Sequence, residues 1–195
     1  MTIRQQIIKQ LDKPDEPFTE CYSHYSDLKQ SIELDWGKIP NRSDSVELED
    51  RIDDWFKGVI NSLYYRPNKL VLVLEGEQGI GKTFFFRNLL WTNSFFSDIY
   101  EKTDVFEMLI CDMEFTKYRL DIPSVEDFTI RHPYTERPVA DKRLCSYCST
   151  TNKWSFPQRK NFIIVPVKKI NFELFNSINK ELLWIEIFNK FKQEL

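Results

Sequence analysis

The chain has 195 residues, 42% of them hydrophobic and 29% charged, with sixteen phenylalanines and five tryptophans. That length supports one full core with at most a modest helical annex, and the aromatic content excludes a disordered chain. The formal net charge of −3 excludes a generally basic nucleic-acid coat, while leaving room for a local basic surface.

In chain order, the opening MTIRQQIIKQLDK has no apolar signal core. No later run approaches the ~18 apolar residues of a membrane span, so a cytoplasmic protein without a membrane partner is expected. Residues 3–11 read as a short helix, followed by an irregular stretch containing Pro and Asp to about Arg42. Ser45 then reads as the cap of a longer helix, with acids in its first turns and Ile52, Trp55, Phe56, Val59, Ile60 and Leu63 at helical spacing. The run Tyr65-Arg66-Pro67-Asn68 ends it. Residues 1–68 are therefore expected as a helical N-terminal segment, and residues 69–195 as the domain that carries the chemistry.

The next stretch is LVLVLEGEQGIGKTFFFRNLL, residues 70–90. Leu70, Val71, Leu72, Val73 and Leu74 predict a strand buried on both faces of a parallel sheet. Gly76, Glu77, Gln78, Gly79, Ile80, Gly81, Lys82 and Thr83 match the pattern G-x-x-x-x-G-K-[ST]. In such a loop backbone N–H groups cradle phosphates, the lysine reaches the β/γ oxygens and the hydroxyl holds Mg²⁺. Phe84, Phe85, Phe86, Leu89 and Leu90 then fit a buried helix whose N-terminus favours an anion. The order strand, loop, helix predicts binding of a nucleoside triphosphate with Mg²⁺.

Further strands are expected over residues 105–111, 128–131, 144–149 and 162–167, with a helical tail from Phe172. In that tail Leu182, Leu183, Ile185, Ile187, Phe188 and Phe191 form an apolar packing face. Nucleotide hydrolysis needs acids at a neighbouring strand end, one for the hydrated metal and one for the attacking water. Asp112 and Glu114 follow the apolar run ending in Cys111, and period-two alternation puts both carboxylates on one side. Asn152 stands after a further strand, where an amide would read a γ-phosphate or the attacking water. Arg159 and Lys160 follow with charge for the transferring phosphoryl oxygens.

Four cysteines, Cys21, Cys111, Cys145 and Cys148, read as buried thiols. Cys145 and Cys148, three apart on a strand, point to opposite faces and make a poor zinc grip. Charge is uneven: Glu47, Glu49, Asp50, Asp53 and Asp54 crowd the first sixty residues, whereas residues 131–160 hold Arg131, Arg137, Lys142, Arg143, Lys153, Arg159 and Lys160. If nucleic acid binds, the latter stretch is where it is expected.

The segments VLVLEGEQGIGKT, FFSD, DMEF, TIRHPY…KRLCSYCSTTN and KNFIIVPV, taken in order, resemble the virulence-associated protein E family of phage and mobile elements, related to superfamily 3 helicases. The resemblance covers residues 70–184. It implies an α/β, P-loop AAA+-like domain of the superfamily 3 helicase type, with a parallel-sheet core and helical N- and C-terminal segments. It further implies that residues 76–83 bind ATP and Mg²⁺, that Asp112 and Glu114 are the Walker B acids, Asp112 with Thr83 holding the metal, and that Asn152 is sensor 1. Arg159 becomes an arginine finger acting across a subunit interface in a homo-oligomer, a hexameric ring in many such motors. Arg131, Lys142 and Arg143 fall in a hairpin that would offer cations to single-stranded DNA.

Two departures stand out. Cys111 occupies the position of the family's first acid, so either Asp112 substitutes for it or hydrolysis is weak. The family's Gly-x-Arg-Arg-Phe appears only as Gln158-Arg159-Lys160-Asn161-Phe162. Three readings follow: an oligomeric ATP-driven DNA motor, a slowly hydrolysing ATP-dependent switch that binds a partner, or a kinase built on the same loop. The chain reads either as a stand-alone ATPase subunit or as a piece of a longer polypeptide.

Overall fold

The computed structural model describes residues 23–39, 42–62, 66, 68–89, 108–111, 127–130, 139–142, 146–153 and 160–191. In chain order these form α1 (Ser23–Gln30), β1 (Ile32–Leu34), a 3₁₀ turn (Trp36–Lys38), α2 (Arg42–Ser62), β2 (Val71–Glu75) and α3 (Lys82–Leu89). Then come β3 (Met108–Cys111), β4 (Asp127–Ile130), β5 (Val139–Lys142), β6 (Ser146–Thr151), β7 (Phe162–Ile170), α4 (Phe172–Ser177) and α5 (Lys180–Phe191).

Five strands make one sheet in the order β1-β7-β2-β6-β3, and β4 pairs antiparallel with β5 in a separate hairpin. β7, β2, β6 and β3 are mutually parallel, whereas β1 joins the β7 edge antiparallel. Central β2 is the run Val71-Leu72-Val73-Leu74-Glu75, with its first four side chains all buried. A strand with parallel neighbours on both sides and helices above it needs such a continuous apolar run.

Both ladders of β7 stop near Pro166, which has no N–H to give. Glu75 is the last β2 residue paired with β7, opposite Pro166, and Leu34 is the last β1 residue, opposite Val167. The Pro166 carbonyl still accepts from Asp35 N.

On one face, Leu72 and Leu74 align across the register with Ile163, Val165 and Cys148. That row shares one core with Tyr25 and Leu28 of α1, Trp55, Phe56, Val59 and Ile60 of α2, and Leu183, Trp184 and Ile187 of α5. Trp184 Nε1 satisfies its buried donor on the Leu89 carbonyl at 3.1 Å. Buried Glu186 in turn accepts from Tyr25 N, joining α5 to the third residue of α1.

Asn68 locks α2 to the sheet. It is 2% exposed, and its Nδ2 donates to the Trp55 carbonyl at 3.0 Å and to Ser146 Oγ at 3.1 Å. Its Oδ1 accepts from Leu70 N at 3.0 Å, immediately ahead of β2. Arg51 adds two donations from Nη2, to the carbonyls of Lys160 and Phe162 at the start of β7.

Several sequence expectations are altered. The stretch read as irregular up to Arg42 holds α1, β1 and a 3₁₀ turn, because its apolar residues are too few for a periodic signal and are ordered by the core. α2 begins at Arg42, so Ser45 lies inside the helix and not at its cap. β5 was not anticipated; its sequence VADK has little β propensity, and pairing with β4 supplies the ladder. Leu182, expected in the packing face of the tail, is 45% exposed, and Trp184 and Glu186 are buried instead. The helix expected at residues 3–11 lies outside the described residues. Among the described residues no helix is long and apolar enough to cross a membrane.

Candidate functional site

The parallel strands end on one side of the sheet, and the glycine-rich loop leaves β2 there. The chain must turn sharply between β2 and α3, and it does so with Gly79 at φ +88° and Gly81 at φ +95°, where a side chain is disfavoured. Gly76 is required for a different reason: a Cβ would stand 2.2 Å from the Val167 carbonyl oxygen and 2.7 Å from Ile80 Cδ1. The loop's first residue is thus pressed against β7. Its N–H donates to the Thr151 carbonyl of β6 at 3.0 Å, so the loop is held from both flanking strands.

Lys82 opens α3 and is 6% exposed. Its ammonium turns back into the loop, donating to the carbonyls of Gly76 at 2.7 Å and Glu77 at 2.6 Å. A third contact at 3.4 Å reaches Asn152 Oδ1, just past the end of β6. Thr83 Oγ1 lies 3.5 Å from Thr150 Oγ1 of the same strand. Burial first, and the Lys38 ammonium second, hold Lys82 below the ordinary lysine range. Lys38 arrives from the 3₁₀ turn and pairs at 2.9 Å with Glu75, the residue before Gly76.

This arrangement suits an anion. The first turn of α3 has N–H groups without intrahelical acceptors, and its dipole is positive at that end. The Lys82 ammonium is held by neutral carbonyl dipoles, which a phosphate oxygen can replace with a charge-assisted bond. The side chains present therefore fit a nucleotide phosphate group, with Thr83 Oγ1 available to a divalent cation.

Of the residues singled out from the sequence, Gly76, Glu77, Gln78, Gly79, Ile80, Gly81, Lys82 and Thr83 form this loop, and Asn152 is brought to its lysine. β3 ends at Cys111, in register with Ser149 of β6, which is itself in register with Val73 of β2. The end of β3 at Cys111 thus lies two strands, or about 10 Å, from β2. Asp112, Glu114, Arg131, Arg143 and Arg159 lie outside the described residues. Lys142 closes β5, in register with Asp127 of β4.

Three groups escape sequence reasoning. Thr150 had a weak signal, two residues before Asn152, on the strand that ends at Thr151. Lys38 had none, and neither did Phe172, whose ring lies against Gly81, because each reaches the loop only through the fold. Phe84, expected as a core residue of α3, is 41% exposed, while Phe85, Phe86 and Leu89 are buried as expected.

No protein-family model matches the sequence, and no curated protein matches it significantly. Among solved structures the chain is similar to the C-terminal region of NrS-1, a phage replication protein. An A-form apo structure of that region aligns at TM-score 0.53 and 14% identity, covering 90% of this chain and 45% of that one. A further apo structure gives TM-score 0.54 at 14% identity, over 90% and 47% of the two chains. Another A-form structure gives 0.53 at 12%, over 84% and 44%. The chain thus spans less than half the length of that region, and at this identity the likeness concerns the fold.

Proposed function

We propose that this chain is an ATP-binding ATPase domain with a P-loop, AAA+-like core of the superfamily 3 helicase type, akin to the virulence-associated protein E family. Its work would be an oligomeric, DNA-directed motor in phage or mobile-element replication. The observation that carries the reading is the seating of Lys82: buried, bonded to its own loop and within 3.4 Å of Asn152 on the adjacent strand end. The order β7-β2-β6-β3 supports it, because it sets one strand between the loop strand and the one that precedes Asp112 and Glu114. The structural likeness to a phage replication protein fits the same setting.

In this reading the backbone of residues 76–83 and Lys82 bind the phosphates, and Thr83 with Asp112 holds Mg²⁺, whose charge offsets that of the transferring group. Glu114 orients the attacking water, and Asn152 hydrogen-bonds the γ-phosphate or that water. Arg159 completes the charge stabilisation from a neighbouring subunit. The β4–β5 hairpin, with Arg131, Lys142 and Arg143 at and beyond its ends, presents cations to single-stranded DNA.

The test is phosphate release from ATP, with and without single-stranded DNA, for the wild type and Lys82→Ala. Turnover that rises with DNA and disappears in the variant supports a motor. Cys111 at the position of an acid favours a second reading, a slowly hydrolysing switch. ATP binding without phosphate release under both conditions would select that one.

A further inference from the structure

The glycine-rich loop has two unlike flanks. Toward β6 it meets hydroxyl and amide groups: Thr83 lies beside Thr150, and Lys82 beside Asn152. Toward the exit of β7 it meets aromatic rings. A Cβ added to Gly81 would fall 2.1 Å from Phe172 Cζ and 2.7 Å from Cε1, so the tip of that ring rests on the Gly81 backbone. Phe172 and Phe84 then pair edge-to-face, with centroids 5.2 Å apart at 84°. Phe84 also contacts the fully buried Phe175 at 6.3 Å, which anchors the pair to the core.

Both rings remain open to solvent, Phe84 at 41% and Phe172 at 38%. Isolated exposed apolar side chains are ordinary. Here two adjoin each other and touch a loop built for an anion.

A bound nucleoside triphosphate is itself two-ended, with charge at one end and a flat base at the other. The ammonium and hydroxyl that take the β/γ-phosphates lie on the β6 flank, and β6 and β7 stand on opposite sides of β2. The base end must then run toward the β7 flank, onto the rings. We propose that Phe84 and Phe172 form the base platform of the nucleotide site, holding the base by stacking and apolar contact and favouring a purine over a pyrimidine through its larger face. The inference rests on the nucleotide-binding reading above and adds the residues that recognise the base.

The probes are Mg²⁺-ATP, Mg²⁺-UTP and Mg²⁺-tripolyphosphate, the last carrying the charge without sugar or base. Calorimetric titrations are made on the wild type, Phe172→Ala, Phe84→Ala and Phe172→Trp, with circular dichroism confirming the fold. The wild type should bind ATP more tightly than UTP. Each alanine variant should bind ATP about 5- to 150-fold more weakly and tripolyphosphate within about twofold of wild type, and Phe172→Trp should retain ATP affinity.

Unchanged ATP affinity in both alanine variants would overturn the platform. Equal losses for ATP and tripolyphosphate would also overturn it, making Phe172 a prop for Gly81. A wild type that binds tripolyphosphate as well as ATP would refute the base contact while leaving the phosphate loop standing. A wild type that binds neither would remove the nucleotide reading itself and the platform with it.

Discussion

Gly58→Ala gives a sharp test of the packing that carries the site, because local propensity and tertiary structure predict opposite signs. Gly58 lies inside α2, where alanine is favoured over glycine by about 1 kcal/mol. In the fold, an alanine Cβ would stand 2.3 Å from Asn68 Oδ1, 2.5 Å from its Cγ and 2.8 Å from its Nδ2. Asn68 cannot yield cheaply, since its bonds to Trp55, Ser146 and Leu70 all depend on its present position. Losing three such bonds costs about 3 kcal/mol at roughly 1 kcal/mol each, and forcing α2 outward costs a similar 1–3 kcal/mol of overpacking.

After the helical gain of the new methyl, a net loss of about 2 kcal/mol is expected, or a fall of about 4–8 °C in Tm for a chain of this size. Urea unfolding followed by tryptophan fluorescence reads it directly, because Trp55 sits beside the clash. In an Asn68→Ala background the same substitution should become neutral or stabilising, giving a coupling above about 1.5 kcal/mol. A wild-type-like or more stable Gly58→Ala protein would refute the reasoning.

Other outcomes follow from the same geometry. On the proposed ATPase reading, Asn152→Ala should lower ATP turnover by about tenfold or more while changing ATP affinity little, because the amide touches Lys82 and is not part of the loop; a matching loss of affinity in titration would place it among the binding groups. Tyr25→Phe should destabilise the fold by about 1 kcal/mol near neutrality, through loss of the 2.6 Å bond that the hydroxyl donates to Asp53. Burial first, then the Asp53 charge and hydrogen bond, raise the Tyr25 pKa well above the ordinary value. The contribution is therefore full below about pH 10, the unfolded value, and is lost as pH rises from there through the folded pKa. The stability difference between wild type and Tyr25→Phe should accordingly shrink above pH 10 in urea titrations, and a constant difference to pH 11 would be against it. Gly81→Ala should weaken binding of Mg²⁺-ATP and Mg²⁺-tripolyphosphate together, since φ +95° costs a side chain about 1–2 kcal/mol and the methyl displaces Phe172; undiminished binding of both would show that the loop conformation is not needed.

What the sequence determined alone is the segment from β2 through α3. Its signals are local: four consecutive apolar β-formers, glycines where the chain must turn, and Phe85, Phe86 and Leu89 at helical spacing. Neighbouring residues are enough to specify them. The same holds for the buried stripe of α2, whose Trp55, Phe56, Val59 and Ile60 reach the core as their spacing predicts.

The rest was settled in three dimensions. β1 and β5 exist because a partner strand offers them a ladder, and no periodicity of their own announces them. Asn152 meets Lys82 because β6 inserts between β2 and β3, a consequence of sheet order and not of spacing along the chain. Lys38 and Phe172 come to the loop from elements far from it in sequence, one through the turn after β1 and the other at the start of α4, just past β7. Sequence patterns report burial and backbone preference over a few residues. The side chains that tune the charge of Lys82 and flank Gly81 are chosen by which strands lie next to β2, and only the assembled sheet decides that.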